Sequence, residues 1–283
     1  MRRRFITRLA VLAAIAGSLA VFGPASPASA SIGLYRASAV GVSNAVSPKS
    51  ITVGCNNVND RIISVGGRIN DGFGDVLMTR AFVNPGLTVA TVWGIEAIPT
   101  GVPWSVEAFV VCAPPGAIAG LVLVENTAGP NVNDKFPQAA CPAGKKVFGG
   151  GYYLDNANGL VAIDEFTFDP NLLFARATAY NYGAPGNYSF TVQAICGTPA
   201  PSMSRITFLS ANNALSPKTV TTNNCPFNTQ VSAVGTIVTG ALGHASIDML
   251  NPRPQLAAGE STVREIGAYG SNWTSQVEAL CVG

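Results

Sequence analysis

Apolar and polar positions alternate with a period of two in three similar stretches, Trp104 to Cys112, Tyr188 to Cys196 and Trp273 to Cys281. Residues two apart in a strand share a face, so each aromatic residue and the cysteine eight positions later point the same way. Val106, Ala108 and Val110 lie between them in the first stretch. The opposite face carries Ser105 and Glu107 in the first stretch, Ser189, Thr191 and Gln193 in the second, and Thr274, Gln276 and Glu278 in the third. Each stretch therefore predicts a half-buried strand. Other runs rich in Val, Ile, Thr, Phe and Tyr, such as Leu160 to Phe168 and Phe174 to Tyr182, are set apart by Gly, Asn and Pro about every ten residues. No window carries a sustained helical stripe, so the pattern predicts an all-β chain of about fifteen to eighteen antiparallel strands.

The landmarks recur. The cysteines at 55, 112, 141, 196, 225 and 281 are separated alternately by 57, 55 and 56 residues and by 29 and 29, which defines a unit of about 85 residues used three times. Asn44-Ala45-Val46-Ser47-Pro48-Lys49 matches Asn213-Ala214-Leu215-Ser216-Pro217-Lys218, whereas the second copy reads Val132-Asn133-Asp134-Lys135. A short apolar run ending in glycine follows each first cysteine, at Gly66-Gly67, Gly149-Gly150-Gly151 and Gly235. These glycines predict a bulge or a crowded strand crossing. Asn84-Pro85, Asp169-Pro170 and Asn251-Pro252 predict a turn in the middle of each unit. The chain accordingly divides into residues 1–30, treated below, and units 31–113, 114–199 and 200–283.

Six cysteines permit fifteen pairings. Equivalent units should be bridged equivalently, and the simplest symmetric choice is Cys55–Cys112, Cys141–Cys196 and Cys225–Cys281. The rival joins Cys112 to Cys141 and Cys196 to Cys225. A closed loop of about 56 residues contributes on the order of 4 kcal/mol. Two architectures fit three units: small β-sandwiches in a row, or three sheets around a shared core with pseudo-threefold symmetry, as in a β-prism. The short, proline-bearing connections and the thin core of a glycine-rich unit of about 82 residues favour the second.

Residues 1–30 stand apart from this pattern. Arg2, Arg3, Arg4 and Arg8 precede an apolar run from Leu9 to Phe22, and Ala28-Ser29-Ala30 has the small-residue form that signal peptidase accepts. The run is too short for a hydrocarbon core of about 30 Å, so it reads as a signal peptide of the general secretory or twin-arginine type rather than a transmembrane anchor, and the protein as secreted. Four of the seventeen basic residues leave with it while all fifteen acidic ones stay, so the mature chain carries about −2. That balance disfavours nucleic acid as a partner.

Chemistry is sparse. His244 is the one histidine, has no counterpart in the other units, and reads as a turn residue. No metal-ligand set and no cofactor motif emerges; the glycine triplet is followed by no helix start and no Lys-Ser/Thr pair. Asp155, Asp164 and Glu165 resemble glycosidase carboxylates only in type, because adjacent strand residues point to opposite faces. Trp104, Tyr188 and Trp273 are the candidate ligand-binding residues, as rings repeated by symmetry suit equivalent shallow sugar sites; the competing reading, favoured by their parity with the cysteines, packs them over the disulfides in the core.

Cys141-Pro142-Ala143-Gly144, the following Gly149-Gly150-Gly151 strand, and Tyr188 with Ala194-Ile195-Cys196 resemble a repeat pattern of uncharacterised exported actinobacterial proteins. The third unit keeps Cys225-Pro226 without the glycine triplet, and the first has Asn56 in place of the proline. The resemblance implies compartment and repeat architecture but no activity. The expectation is a non-enzymatic, disulfide-braced extracellular binding or surface module, facing cell-wall or other extracellular glycans or protein. A lectin-like carbohydrate binder and a secreted hydrolase are the alternatives.

Overall fold

A computed structural model describes residues 32–283, and the signal peptide read at 1–30 lies outside them. The described residues form eighteen strands and no helix. The first unit supplies β1 (Tyr35–Val40), β2 (Lys49–Gly54), β3 (Arg61–Asn70), β4 (Val76–Val83), β5 (Val89–Glu96) and β6 (Ser105–Ala113). The second supplies β7 (Val122–Asn131), β8 (Gln138–Ala140), β9 (Lys146–Asp155), β10 (Val161–Phe168), β11 (Phe174–Asn181) and β12 (Tyr188–Gly197). The third supplies β13 (Met203–Leu209), β14 (Lys218–Thr221), β15 (Gln230–Thr239), β16 (Ala245–Pro252), β17 (Gly259–Glu265) and β18 (Thr274–Val282).

These strands make three six-stranded antiparallel sheets of one recurring order: sheet I is β1-β6-β3-β16-β17-β14, sheet II is β2-β5-β4-β9-β12-β7, and sheet III is β13-β18-β15-β10-β11-β8. Each sheet is thus built from two units. A unit gives its first, sixth and third strands to one sheet and its fourth, fifth and second strands to the next, and one apolar core draws residues from all three units. The row of separate sandwiches is not formed, because no unit completes a sheet with its own strands.

The half-sheets meet along seams only two residue pairs long: Met249 and Leu250 face Arg68 and Gly67, Arg80 and Ala81 face Tyr153 and Tyr152, and Glu165 and Phe166 face Ile237 and Thr236. The repeated glycines stand at these seams. A Cβ added at Gly66, Gly151 or Gly235 would lie 2.1 Å from the Leu250 carbonyl oxygen, 2.3 Å from that of Ala81 and 2.5 Å from that of Phe166. A neighbouring unit's backbone therefore comes close enough to exclude any side chain. Bulges also repeat: the register slips between Ile62 and Ser64 in β3 and between Val231 and Ala233 in β15, and again between Met78 and Arg80, Ile163 and Glu165, and Ile247 and Met249. The second set makes Thr79, Asp164 and Asp248 the extra residue next to each seam.

The turn expected at Asn251-Pro252 lies elsewhere. Both residues belong to β16, and the turn is Arg253-Pro254, where Leu256 donates its N–H to the Arg253 carbonyl as Leu87 does to Asn84 and Leu172 to Asp169. Leu87, Leu172 and Leu256 share a left-handed backbone, with φ of 55°, 59° and 53°. Pro252 instead takes the place of Val83 and Phe168, and the exchange has a consequence. Val83 N–H donates to Gln193 (2.8 Å) and Phe168 N–H to Glu278 (3.2 Å), each across a seam. Proline offers no N–H at this seam, and the residue equivalent to Gln193 and Glu278 is Phe109, which has no acceptor to receive one. The Phe109 ring lies under the Arg36 guanidinium instead, 4.2 Å from it.

Candidate functional site

The three cysteine pairs are Cys55–Cys112, Cys141–Cys196 and Cys225–Cys281, and no free cysteine is present among the described residues. Each ties the chain ahead of a unit's third strand to the end of its sixth. All three therefore sit at one end of the molecule, and the loops that precede β6, β12 and β18 sit at the other.

Trp104, Tyr188 and Trp273 lie at that second end, and their rings are fully buried, at 0%, 0% and 1% exposure. They do not cover the disulfides, since eight residues of strand separate ring from sulfur by about 26 Å. A lysine closes each from above: the Lys49, Lys135 and Lys218 ammonium groups lie 3.8, 3.9 and 4.5 Å from the respective ring centroids. Trp104 Nε1–H donates to Glu96 (3.0 Å), Trp273 Nε1–H to Glu265 (2.8 Å), and the Tyr188 hydroxyl to the Asn133 carbonyl (2.8 Å). The lysines also donate to loop groups, Lys135 to Asn131 Oδ1 (2.7 Å) and Lys218 to Asn213 Oδ1 (2.6 Å), and burial pushes all three below the usual lysine range. Lys135 occupies this position although the loop before it differs from those of units one and three. The clusters pin the β1–β2, β7–β8 and β13–β14 connections to this end of the molecule and leave no ring face open to a ligand.

The carboxylates are dispersed. Asp164, 3% exposed at its bulge, is pushed up to about 8, first by burial and then by Glu165. Glu165 turns outward to Arg176 (2.7 Å) and Thr178 (2.7 Å), and Asp155 pairs with Arg80 (2.8 Å) in a different sheet. No two of them flank a common space. His244 is exposed in the β15–β16 turn and stacks on Tyr269 at 4.6 Å. Glu278, wholly buried, accepts from Thr167 (2.5 Å) and pairs with Arg205 (3.1 Å); burial raises its carboxyl despite these partners. Its role is to hold sheet III across a seam.

The seams themselves open into grooves with unlike linings at equivalent positions. In sheet I the groove holds about 540 Å³ and is charged, with Arg68, Asp71, Glu260 and Arg264 around Asp248. Asp248 binds Arg264 at 2.9 Å, its second oxygen has no hydrogen-bond partner among the described residues, and burial raises it to about 6. In sheet II the groove holds about 210 Å³ between Trp93, Ile95, Leu154 and Pro48, with Thr79, Arg80, Asn156 and Asn158 as its polar lining. Trp93 is half-buried and lies in register with Arg80, which is in register with Tyr153 across β5, β4 and β9. Phe82 packs on Tyr153 at 5.2 Å. The equivalents of Trp93 are Thr178 and Thr262, and those of Tyr153 are Ile237 and Arg68.

Symmetry as a guide to binding singles out Trp104, Tyr188 and Trp273, and the accessible tryptophan is the one symmetry does not repeat. The signal was present in β5, where Trp93 follows Val89 and Thr91 on the outward parity of an otherwise alternating strand. No family model matches the chain, and no curated protein matches it in sequence.

Proposed function

We propose that the protein is a non-enzymatic extracellular binding module, three disulfide-braced units forming one scaffold that displays chemically different outer faces. One observation carries this reading: the positions that hold the scaffold together repeat in all three units, namely the cysteines, seam glycines and lysine-capped aromatics, while the outward positions at the seams do not. Arg80, Glu165 and Met249 are equivalent, as are Trp93, Thr178 and Thr262. A scaffold kept threefold beneath faces that have diverged suits recognition on one face better than threefold-repeated sites.

Three disulfides support an oxidising compartment, and no helix among the described residues is long and apolar enough to cross a membrane. The test is co-sedimentation of the purified mature chain with isolated bacterial cell walls, together with mass spectrometry of the supernatant. Saturable retention without released fragments is expected. Polysaccharide cleavage that disappears in Asp164→Asn would make the protein a hydrolase and overturn the proposal.

A further inference from the structure

Resting on the binding-module reading, we infer that the sheet II groove beside Trp93 is a carbohydrate site for a residue of a neutral glycan. Its volume of about 210 Å³ lies below the roughly 300–1,000 Å³ of drug-sized sites and suits one small polar ring. Trp93, Ile95 and Leu154 give it an apolar wall, and an indole takes the C–H face of a pyranose whose hydroxyls are equatorial. The rim carries Asn156 and Asn158, whose carboxamides are engaged by no hydrogen bond among the described residues. A carboxamide donates and accepts at once, which matches vicinal sugar hydroxyls.

Charge decides against an acidic ligand. Arg80 is already spent: its guanidinium pairs with Asp155 at 2.8 Å, donates to the Leu154 carbonyl at 2.9 Å and lies 4.8 Å over the Trp93 ring. The groove thus offers no free cation to a carboxylate or phosphate and no free anion to an amine. Backbone geometry decides for a prepared rim. Asn156 and Asn158 hold left-handed φ of 63° and 49°, a conformation also taken at the equivalent Asp71 and Phe73 and at Gly240 and Leu242. The conformation belongs to the scaffold, but only this seam sets two carboxamides on it beside an indole. Tyr153 and Phe82 continue the aromatic surface along the same face and give a longer glycan a second contact.

The experiment is calorimetric titration of the disulfide-intact mature chain with cellohexaose, chitohexaose and mannohexaose, with sialyllactose as the charged comparator, while tryptophan emission is followed. Saturable binding of at least one neutral hexaose and none of sialyllactose is expected. Trp93→Ala should weaken that binding at least tenfold. Asn158→Gly, which keeps the left-handed backbone and removes only the carboxamide, should weaken it severalfold with an unchanged melting temperature. Failure of all three hexaoses to bind at millimolar concentration overturns the site, and so does binding unaltered in both variants. Wall retention equal in wild type and both variants would likewise overturn the site while the binding-module reading stands, whereas absence of wall retention with intact hexaose binding would count against the cell-wall target alone and uphold the site.

Discussion

Replacing Gly151 by alanine is expected to open the seam between the first and second units. The added Cβ would sit 2.3 Å from the Ala81 carbonyl oxygen, 2.8 Å from Val65 Cγ1 and 3.0 Å from Phe82 Cα, and two of these three neighbours are backbone atoms that cannot rotate away. The seam must part by most of an ångström. It is held by only two residue pairs, so parting forfeits about two backbone hydrogen bonds at ~1 kcal/mol each, and overpacking adds about 1–3 kcal/mol. A loss of about 3–5 kcal/mol follows. At about 2–4 °C per kcal/mol for a chain of this size, a loss of 3 kcal/mol lowers the melting temperature by roughly 6–12 °C, readable by scanning calorimetry without reductant. Gly186→Ala is the control, since nothing lies within 4 Å of a Cβ there and the backbone is not left-handed. It should be neutral or slightly stabilising. A Gly151→Ala protein melting within about 2 °C of wild type would refute the close-approach account of the seam glycines.

Removing one disulfide as Cys225→Ala with Cys281→Ala should cost about 4 kcal/mol by loop entropy, with nearly the same cost for the other two pairs because their separations are 57 and 55 residues; denaturant unfolding checks both magnitude and equality. Glu278→Ala strands Arg205, Thr167 and the Phe168 N–H and should cost about 3–5 kcal/mol, whereas Glu278→Gln should cost far less, because Gln193 fills the equivalent seam position while bonding Val83 through both N–H and carbonyl. Asp164, folded with its carboxyl at about 8 against about 3.9 in the unfolded chain, binds its proton more tightly when folded. Stability should therefore be greatest below pH 4 for this group and fall as pH rises from about 4 to 8, and Asp164→Asn should flatten that part of the melting-temperature profile.

Repetition exposed the pairing of the cysteines, because equivalent units are bridged equivalently. Period-two parity located the final strands but read them as half-buried, whereas both faces are buried because polar residues such as Gln193 and Glu278 bond across the seams. Parity does not say which strand lies alongside. Nothing in Val76 to Val83 distinguishes pairing with β3 of its own unit from pairing with β9 of the next, and only the glycines, too close-set for an ordinary strand, hinted at the exchange. The shift of the third turn from Asn251-Pro252 to Arg253-Pro254 has a similar origin: two Pro-containing dipeptides stand two residues apart, and either satisfies turn chemistry on its own. The bulges at Asp164 and Asp248 were hidden because one inserted residue preserves composition while reversing the parity that follows it. Trp93 escaped notice because repetition marks what a scaffold needs, and a binding surface on one face of a threefold scaffold is by nature unrepeated.

The exchange of half-sheets also bears on how such a chain arises and matures. One unit taken alone carries two three-stranded halves, each ending in an open seam with no partner of its own, and closes only by gathering two more copies of itself. Joining the copies end to end turns that gathering into an intramolecular event, and it lets three identical edges evolve apart. The cost is kinetic: sheet I is not complete until β16 reaches β3, almost two hundred residues earlier in the chain, so every intermediate before ring closure exposes an unpaired strand.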